Sequence, residues 1–180
     1  TEDEPFSPLS VYGQTKAAGD IAVTGCPRHY IMRSSWVIGE GHNFVKTMKA
    51  LSDRVADPED KLERITVVDD QLGRLTFTRD MAQAIFHVLG THAPYGTYNC
   101  TGSGAVKSWA DIARAVFDAA NGNGKRVVSV STADYYASAE GPIAPRPVHS
   151  ALDLSRLEST GFRMPDWDEE LGEYLEELTR

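Results

Sequence analysis

Tyr12 and Lys16 stand four residues apart in the segment Ser10-Val11-Tyr12-Gly13-Gln14-Thr15-Lys16. On a helix that spacing places both side chains on one face, within reach of each other. A lone phenol titrates near pH ~10 and is a poor acid at neutrality. A neighbouring ammonium favours the phenolate and narrows that gap. Such a pair can hand a proton to a carbonyl oxygen while hydride adds to the carbon. An ordinary solvated helix face presents the same two residues, so specificity has to come from the rest of the chain. Three further segments have chemical content. Gly102-Ser103-Gly104-Ala105-Val106-Lys107 follows an expected strand and precedes an expected helix, where a dinucleotide loop would sit. Lys107 occupies the place of the third glycine, however, and no acidic residue ends a following strand ~20 residues on, so it reads as a plain turn. Asp69-Asp70-Gln71-Leu72-Gly73-Arg74-Leu75-Thr76 joins a strand to a helix, and either hydrogen-bonds a sugar or forms a polar turn. Arg146, held beside Pro147, presents a fork suited to phosphate, unless it is an ordinary surface arginine. The five histidines are scattered without metal spacing, and no metal is expected. Cys26 and Cys100 have neither metal nor redox-motif spacing. They are expected as core thiols, and two isolated thiols fit a reducing cytoplasm.

The elements that must position these residues follow from periodicity and punctuation. A helix is predicted from Ser10, with Val11, Ala18, Ile21 and Ala22 as its apolar face, closed by Gly25-Cys26-Pro27. His29 to Met32 reads as a strand. His42 or Asn43 caps a helix to about Ser52, followed by a charged loop over 53–64. Strands are expected at Ile65–Val68, Tyr95–Cys100 and Val127–Val130. Helices are expected from a Thr78 cap to Leu89, and from a Ser108 cap to the Asn121-Gly122-Asn123-Gly124 stop. An irregular stretch reaches Ser150, and two short helices, near 153–159 and 167–178, end the chain. Strands alternating with helices indicate an α/β fold with a largely parallel sheet. With 180 residues, 41% hydrophobic, the chain can build a core. Its net charge of −8 argues against nucleic acid as a partner. No apolar run reaches the ~18 residues of a membrane span.

Taken in order, several segments resemble one family. They are Ser10 to Lys16, Arg33-Ser34-Ser35-Trp36-Val37, Asn43-Phe44-Val45, Asp70-Gln71-Leu72-Gly73, Asp80-Met81-Ala82, Gly96-Thr97-Tyr98-Asn99, Ser108-Trp109 and Arg146-Pro147-Val148-His149-Ser150-Ala151-Leu152-Asp153. Across nearly all 180 residues the chain is similar to the C-terminal part of the dTDP-4-dehydrorhamnose reductases, a branch of the extended short-chain dehydrogenases/reductases. The resemblance implies the C-terminal portion of a Rossmann-type parallel sheet plus a small α/β substrate lobe. Residues 1–36 and 76–100 would be the remnant of the NAD(P)-binding domain, and 37–75 and 101–180 the nucleotide-sugar lobe. Tyr12 would be the catalytic acid, with Lys16 holding the nicotinamide ribose of NADPH or NADH. Ser34 and Ser35 would lie beside the nicotinamide. Trp36 would face the deoxysugar, Asn43 and Gln71 would contact sugar or nucleotide, and Arg146 the diphosphate. The implied reaction is reduction of a dTDP-4-dehydro-L-rhamnose to dTDP-L-rhamnose for cell-envelope polysaccharide. Leu75 replaces the family's usual proline and is expected to loosen its turn. The Gly-rich cofactor loop and the catalytic Ser/Thr of such enzymes lie upstream of the tyrosine, so the chain is expected to be a piece that is inactive alone. A homodimer through uncovered sheet edges and an epimerase domain fused upstream are both compatible with the resemblance. Competing readings are a non-catalytic relative serving as a regulatory subunit, and another nucleotide-sugar epimerase or reductase.

Overall fold

The computed structural model describes residues 1–179. Its first helix, α1 (Val11–Thr24), starts where the Ser10 hydroxyl oxygen accepts a hydrogen bond from the Gly13 amide at 3.2 Å. Strand β1 (Tyr30–Arg33) pairs in parallel with β6 (Gly96–Asn99), Tyr30 opposite Gly96 and Arg33 opposite Asn99. β2 (Val37–Ile38) pairs in parallel with β5 (Thr76–Phe77), and β3 (Ile65–Val68) with β8 (Val127–Val130). The exception is β4 (Leu72–Gly73), which runs antiparallel to β7 (Lys107–Ser108). Helices α2 (Phe44–Ala56), α3 (Thr78–Gly90) and α4 (Trp109–Asn121) lie between these strands in sequence, as parallel pairing requires. The short α5 (Thr132–Tyr135), α6 (Ser155–Glu158) and the terminal α7 (Trp167–Glu177) complete the order.

Two hydrophobic clusters hold these elements. In the larger, α2 and α4 pack on β3 and β8, with Ile112, Val116, Phe117 and Val45 wholly excluded from water. Ile112–Val116 and Ala113–Phe117 are i,i+4 pairs, so the burial follows directly from the helical stripe. α4 is closed at both ends by its own residues. Ser108 and Asp111 form a reciprocal capping box, and Gly122 adopts the left-handed C-cap at φ 65°. The smaller cluster joins α3, β6 and α6 through Ala84, Val88, Tyr98, Cys100, Leu157 and Met164.

Some expectations are corrected. α1 is a helix, but Val11 and Ile21 are 75% and 60% exposed and none of its residues is buried. Among the described residues no apolar surface covers that face. The helix is tied instead by polar contacts, Arg33 Nε donating to Asp20 Oδ2 at 2.7 Å and Arg33 Nη1 to the Glu2 carbonyl. α2 continues to Ala56, shortening the charged loop. Thr78 does not cap α3: Phe77 is the N-cap residue and no side chain bonds there. Leu75 is fully buried and its carbonyl accepts from the Gly102 amide at 3.0 Å, so it anchors its turn rather than loosening it. Gly102 is a glycine for packing, because a Cβ there would come within 2.5 Å of that carbonyl oxygen.

The cysteines also divide. Cys100 is buried, and burial together with the nearby Asp80 carboxylate pushes its thiol up to about 11. Cys26 is exposed rather than in the core. A maleimide at mildly alkaline pH should therefore label one thiol, at Cys26, and label Cys100 only after unfolding. Mass spectrometry of the labelled peptides checks this, and equal labelling rates would contradict the burial described.

Candidate active site

The connection leaving β1, the one leaving β3 and the start of α1 converge on a cleft of about 900 Å³. Open α/β sheets present their strands' carboxyl ends to ligands in this way. Ser34, Ser35 and Trp36 follow β1 directly, and Gln71 comes three residues after β3. One wall is aromatic. Trp36 stacks on Trp109 with ring centres 3.9 Å apart and planes 21° from parallel, and Phe44 tilts against Trp109 at 4.4 Å. Trp36 is held in a left-handed backbone conformation, φ 50°. A bulky residue there is strained, a condition that clusters at functional sites. Its ring fills the space beside Gly73, where a Cβ would stand 2.8 Å from Trp36 Cε2.

The far wall is a strap. Residues 148–150 are stitched to β4 by Leu72 N to Val148 O and Ser150 N to Leu72 O, both 2.7 Å. The strap carries Arg146 and Pro147 to the cleft, whose lining also includes Tyr135 and Tyr136.

Six of the eight residues expected at a site line this cleft: Tyr12, Ser34, Ser35, Trp36, Gln71 and Arg146. Their side chains are committed to different degrees. Tyr12 is 72% exposed at the cleft's edge. Among the described residues its hydroxyl, the Ser34 hydroxyl and the Arg146 guanidinium have no hydrogen-bond or ion-pair partner. Ser35 is engaged, its hydroxyl donating to the Ser150 carbonyl at 2.9 Å and so locking the strap. Lys16 lies one turn along α1 from Tyr12, outside the cleft lining, and its ammonium has no partner among the described residues. Asn43 is not brought to the cleft. It caps α2 by accepting from Lys46 N, while its amide nitrogen donates to the Gly39 carbonyl at 2.8 Å and lies 2.9 Å from the Tyr174 hydroxyl. The Gln71 amide nitrogen donates to Thr132 Oγ1 at 2.9 Å. Asp70 in turn accepts from both the Thr132 amide and hydroxyl, and these bonds hold its carboxyl below the ordinary range.

Sequence reasoning missed Phe44, Tyr135 and Tyr136 as cleft residues, and missed the Asp70–Thr132 link. α5 is four residues long, too short to leave a periodicity. The aromatic wall arises from contacts between residues far apart in the chain.

With this geometry in view, the comparisons decide the family. A family model described as the RmlD substrate binding domain matches residues 1–180. The chain belongs to that family. A dTDP-4-dehydrorhamnose reductase from Aggregatibacter actinomycetemcomitans is 37% identical, the match covering 94% of this chain and 58% of the relative. The crystal structure of the Clostridium acetobutylicum dTDP-4-dehydrorhamnose reductase superposes with a TM-score of 0.85 at 34% identity, covering 99% of this chain and 59% of that one. The Bacillus anthracis reductase, solved in complex with NADP, gives a TM-score of 0.80 at 33% identity, covering 98% and 58%. The RmlD-family chain described here thus spans a little under three-fifths of the relatives it matches. The expected α/β architecture, part of a Rossmann-type fold with parallel strand pairing, is that of these structures.

Two measurements test this description. Gly73→Ala should displace Trp36, cost about 1–3 kcal/mol of stability, and weaken the circular-dichroism couplet of the stacked indoles; an unchanged couplet would contradict the packing. The second concerns Asp70, whose lowered folded pKa makes its bonds stabilising above the unfolded value of 3.8 and progressively lost as pH falls below it. Hydrogen exchange should therefore show the Thr132 amide losing protection in acid before α4 does, and Asp70→Asn should abolish that dependence.

Proposed function

We propose that this cleft binds a dTDP-linked 4-keto deoxysugar beside a nicotinamide cofactor, and serves its reduction to dTDP-L-rhamnose. The carrying observation is the convergence of Tyr12, Ser34, Trp36, Gln71 and Arg146, from separate parts of the chain, on one cleft. The RmlD-family membership and the relatives' names point the same way. The donor set suits a nicotinamide riboside. The Tyr12 and Ser34 hydroxyls and the Lys16 ammonium are all unspent among the described residues, and a ribose diol and a carboxamide take such donors. NADPH and NADH fit this half of the site equally. When bound, the reduced nicotinamide supplies hydride to the sugar's carbonyl carbon.

The chain's own residues do the rest. The Tyr12 hydroxyl delivers a proton to the carbonyl oxygen, so that ketone becomes alcohol, and Lys16 favours the phenolate left behind. Arg146 offers a bidentate fork to the diphosphate. Trp36, braced on Trp109, lays an apolar surface along the sugar. Residues 37–75 and 101–180 serve as the sugar-nucleotide lobe; the larger hydrophobic cluster follows that division except at Phe77, and the smaller one except at Leu154, Leu157 and Met164, which pack with the remnant's Ala84, Val88 and Tyr98. The Rossmann remnant then comprises 1–36 and 76–100. A cytoplasmic site of action accompanies this reading.

Two outcomes are expected. In a chain of the relatives' length, Tyr12→Phe should lower kcat by ~10²–10⁴-fold in an assay on dTDP-4-dehydro-L-rhamnose, with the cofactor's Kd by calorimetry unchanged. Near-parental turnover would remove Tyr12 from its role. The 180 residues alone should bind NADPH weakly and reduce nothing, and a micromolar Kd for that stretch would count against the division of labour proposed.

A further inference from the structure

The chain of bonds from Asp70 through Thr132 to Gln71 has a fixed polarity. The Asp70 carboxyl, held in its ionised form, can only accept. It takes the Thr132 amide hydrogen at 2.9 Å on Oδ2 and the Thr132 hydroxyl hydrogen at 2.5 Å on Oδ1. Thr132 has then spent its only hydroxyl proton, and its oxygen has lone pairs alone to offer. Gln71 must therefore present its NH₂ to Thr132, as the 2.9 Å contact from Nε2 records. The amide orientation is set by this network rather than by freedom of the side chain. Gln71 Oε1 is left on the other side of the amide. It has no partner among the described residues, yet no buried side-chain oxygen in them lacks one. Oε1 is consequently not sealed from solvent, and Gln71 is one of the residues that line the cleft. Gln71 as a whole is only 9% exposed, so this opening is narrow.

We infer that Asp70 and Thr132 are positioning residues that fix Gln71 as a hydrogen-bond acceptor toward the cleft, so the ligand must place a donor there, either the imide N–H of a pyrimidine base or a sugar hydroxyl. The inference rests on the nucleotide-sugar reading above and adds a rule of selection to it. An acceptor held in a narrow, nearly dry position discriminates strongly against a ligand atom that cannot donate, because two facing acceptors leave both unpaired. A freely rotating glutamine would impose no such rule, since it could turn its NH₂ to the ligand instead.

The test compares Thr132→Val, which keeps the shape and removes the hydroxyl, with Thr132→Ser, which restores it. Calorimetry with dTDP and with dTDP-L-rhamnose reads the outcome in a chain of the relatives' length. Thr132→Val should weaken binding roughly tenfold, the worth of about one hydrogen bond, and Thr132→Ser should stay within about twofold of the parent. A loss already present with dTDP places the donor on the nucleoside, and N3-methylation of dTDP then separates the two: an equal weakening with the unaltered protein makes it the imide, and no weakening makes it the deoxyribose hydroxyl. A loss confined to dTDP-L-rhamnose makes it a hydroxyl of the rhamnose. Unchanged binding by Thr132→Val, or an equal loss with Thr132→Ser at an unchanged melting temperature, overturns the inference alone. A parent protein that binds neither nucleotide overturns the nucleotide-sugar reading and this inference with it.

Discussion

The cleft depends on how the chain crosses from β1 to β2. β1 belongs to the smaller hydrophobic cluster's side of the molecule and β2 to the larger, and Ser34-Ser35-Trp36 spans the gap. Thr76, wholly buried, fixes that crossing with two bonds: its hydroxyl donates to the Ser35 carbonyl at 2.6 Å and its amide to the Trp36 carbonyl at 3.1 Å. A buried hydroxyl without a partner is costly, so Thr76 and the crossing hold each other in place. The magnitudes show why several contacts are needed. A left-handed tryptophan costs about 1–3 kcal/mol, whereas stacked aromatic rings return about 0.5–1.5 kcal/mol beyond their burial. The Trp36–Trp109 stack offsets only the lower end of that strain. The space beside Gly73 and the Thr76 bonds add to what holds Trp36 in place.

The same economy governs the strap. Its stretch from Ala137 to Val148 is exposed throughout and buries no apolar side chain, so it has no core of its own to fix it. Pairing with Leu72 and the Ser35–Ser150 bond supply the fixed points. β4 is therefore a hub. On one side it pairs with β7, which leads into Trp109; on the other it holds the strap; and its Gly73 accommodates Trp36. Two residues of strand thus coordinate both walls of the cleft, the aromatic one at two points.

Much of this was legible in the residues where local signals are strong. Ser10, Ser108 and Gly122 mark helix ends by their capping chemistry, and the α2 and α4 stripes declare their buried faces. Tyr12, Ser34, Trp36, Gln71 and Arg146 are singled out through ordered segments rather than through any one spacing, and the fold brings all five to one cleft. What failed was long-range. β2, β4, β5 and β7 are two residues each, below the length at which alternation can be seen. The apolar face of α1 was read correctly as a pattern but has no counterpart among the described residues. Asn43 illustrates another limit: an asparagine before a helix signals a cap and a ligand contact alike, and only geometry shows its donors spent on Gly39 and its acceptor on Lys46.

That last distinction generalises across the cleft. Neighbouring residues of like chemistry are separated by whether their hydrogen-bonding capacity is already used. Ser35 is spent on the strap while Ser34 is unspent; Thr132 is spent on Asp70 while Gln71 retains one oxygen. A donor already spent cannot donate to a ligand without breaking a bond the fold relies on, at roughly 0.5–1.5 kcal/mol for each. An unspent group at a wet surface gains by binding and loses nothing from the fold. Spent and unspent residues share the cleft lining: Ser35 and Gln71 stand there with bonds already made, and Tyr12, Ser34 and Arg146 with polar heads unpartnered among the described residues. Conformational rigidity and binding capacity are thereby carried by different side chains of one cleft, the bonded ones fixing the backbone from which the unbonded ones project.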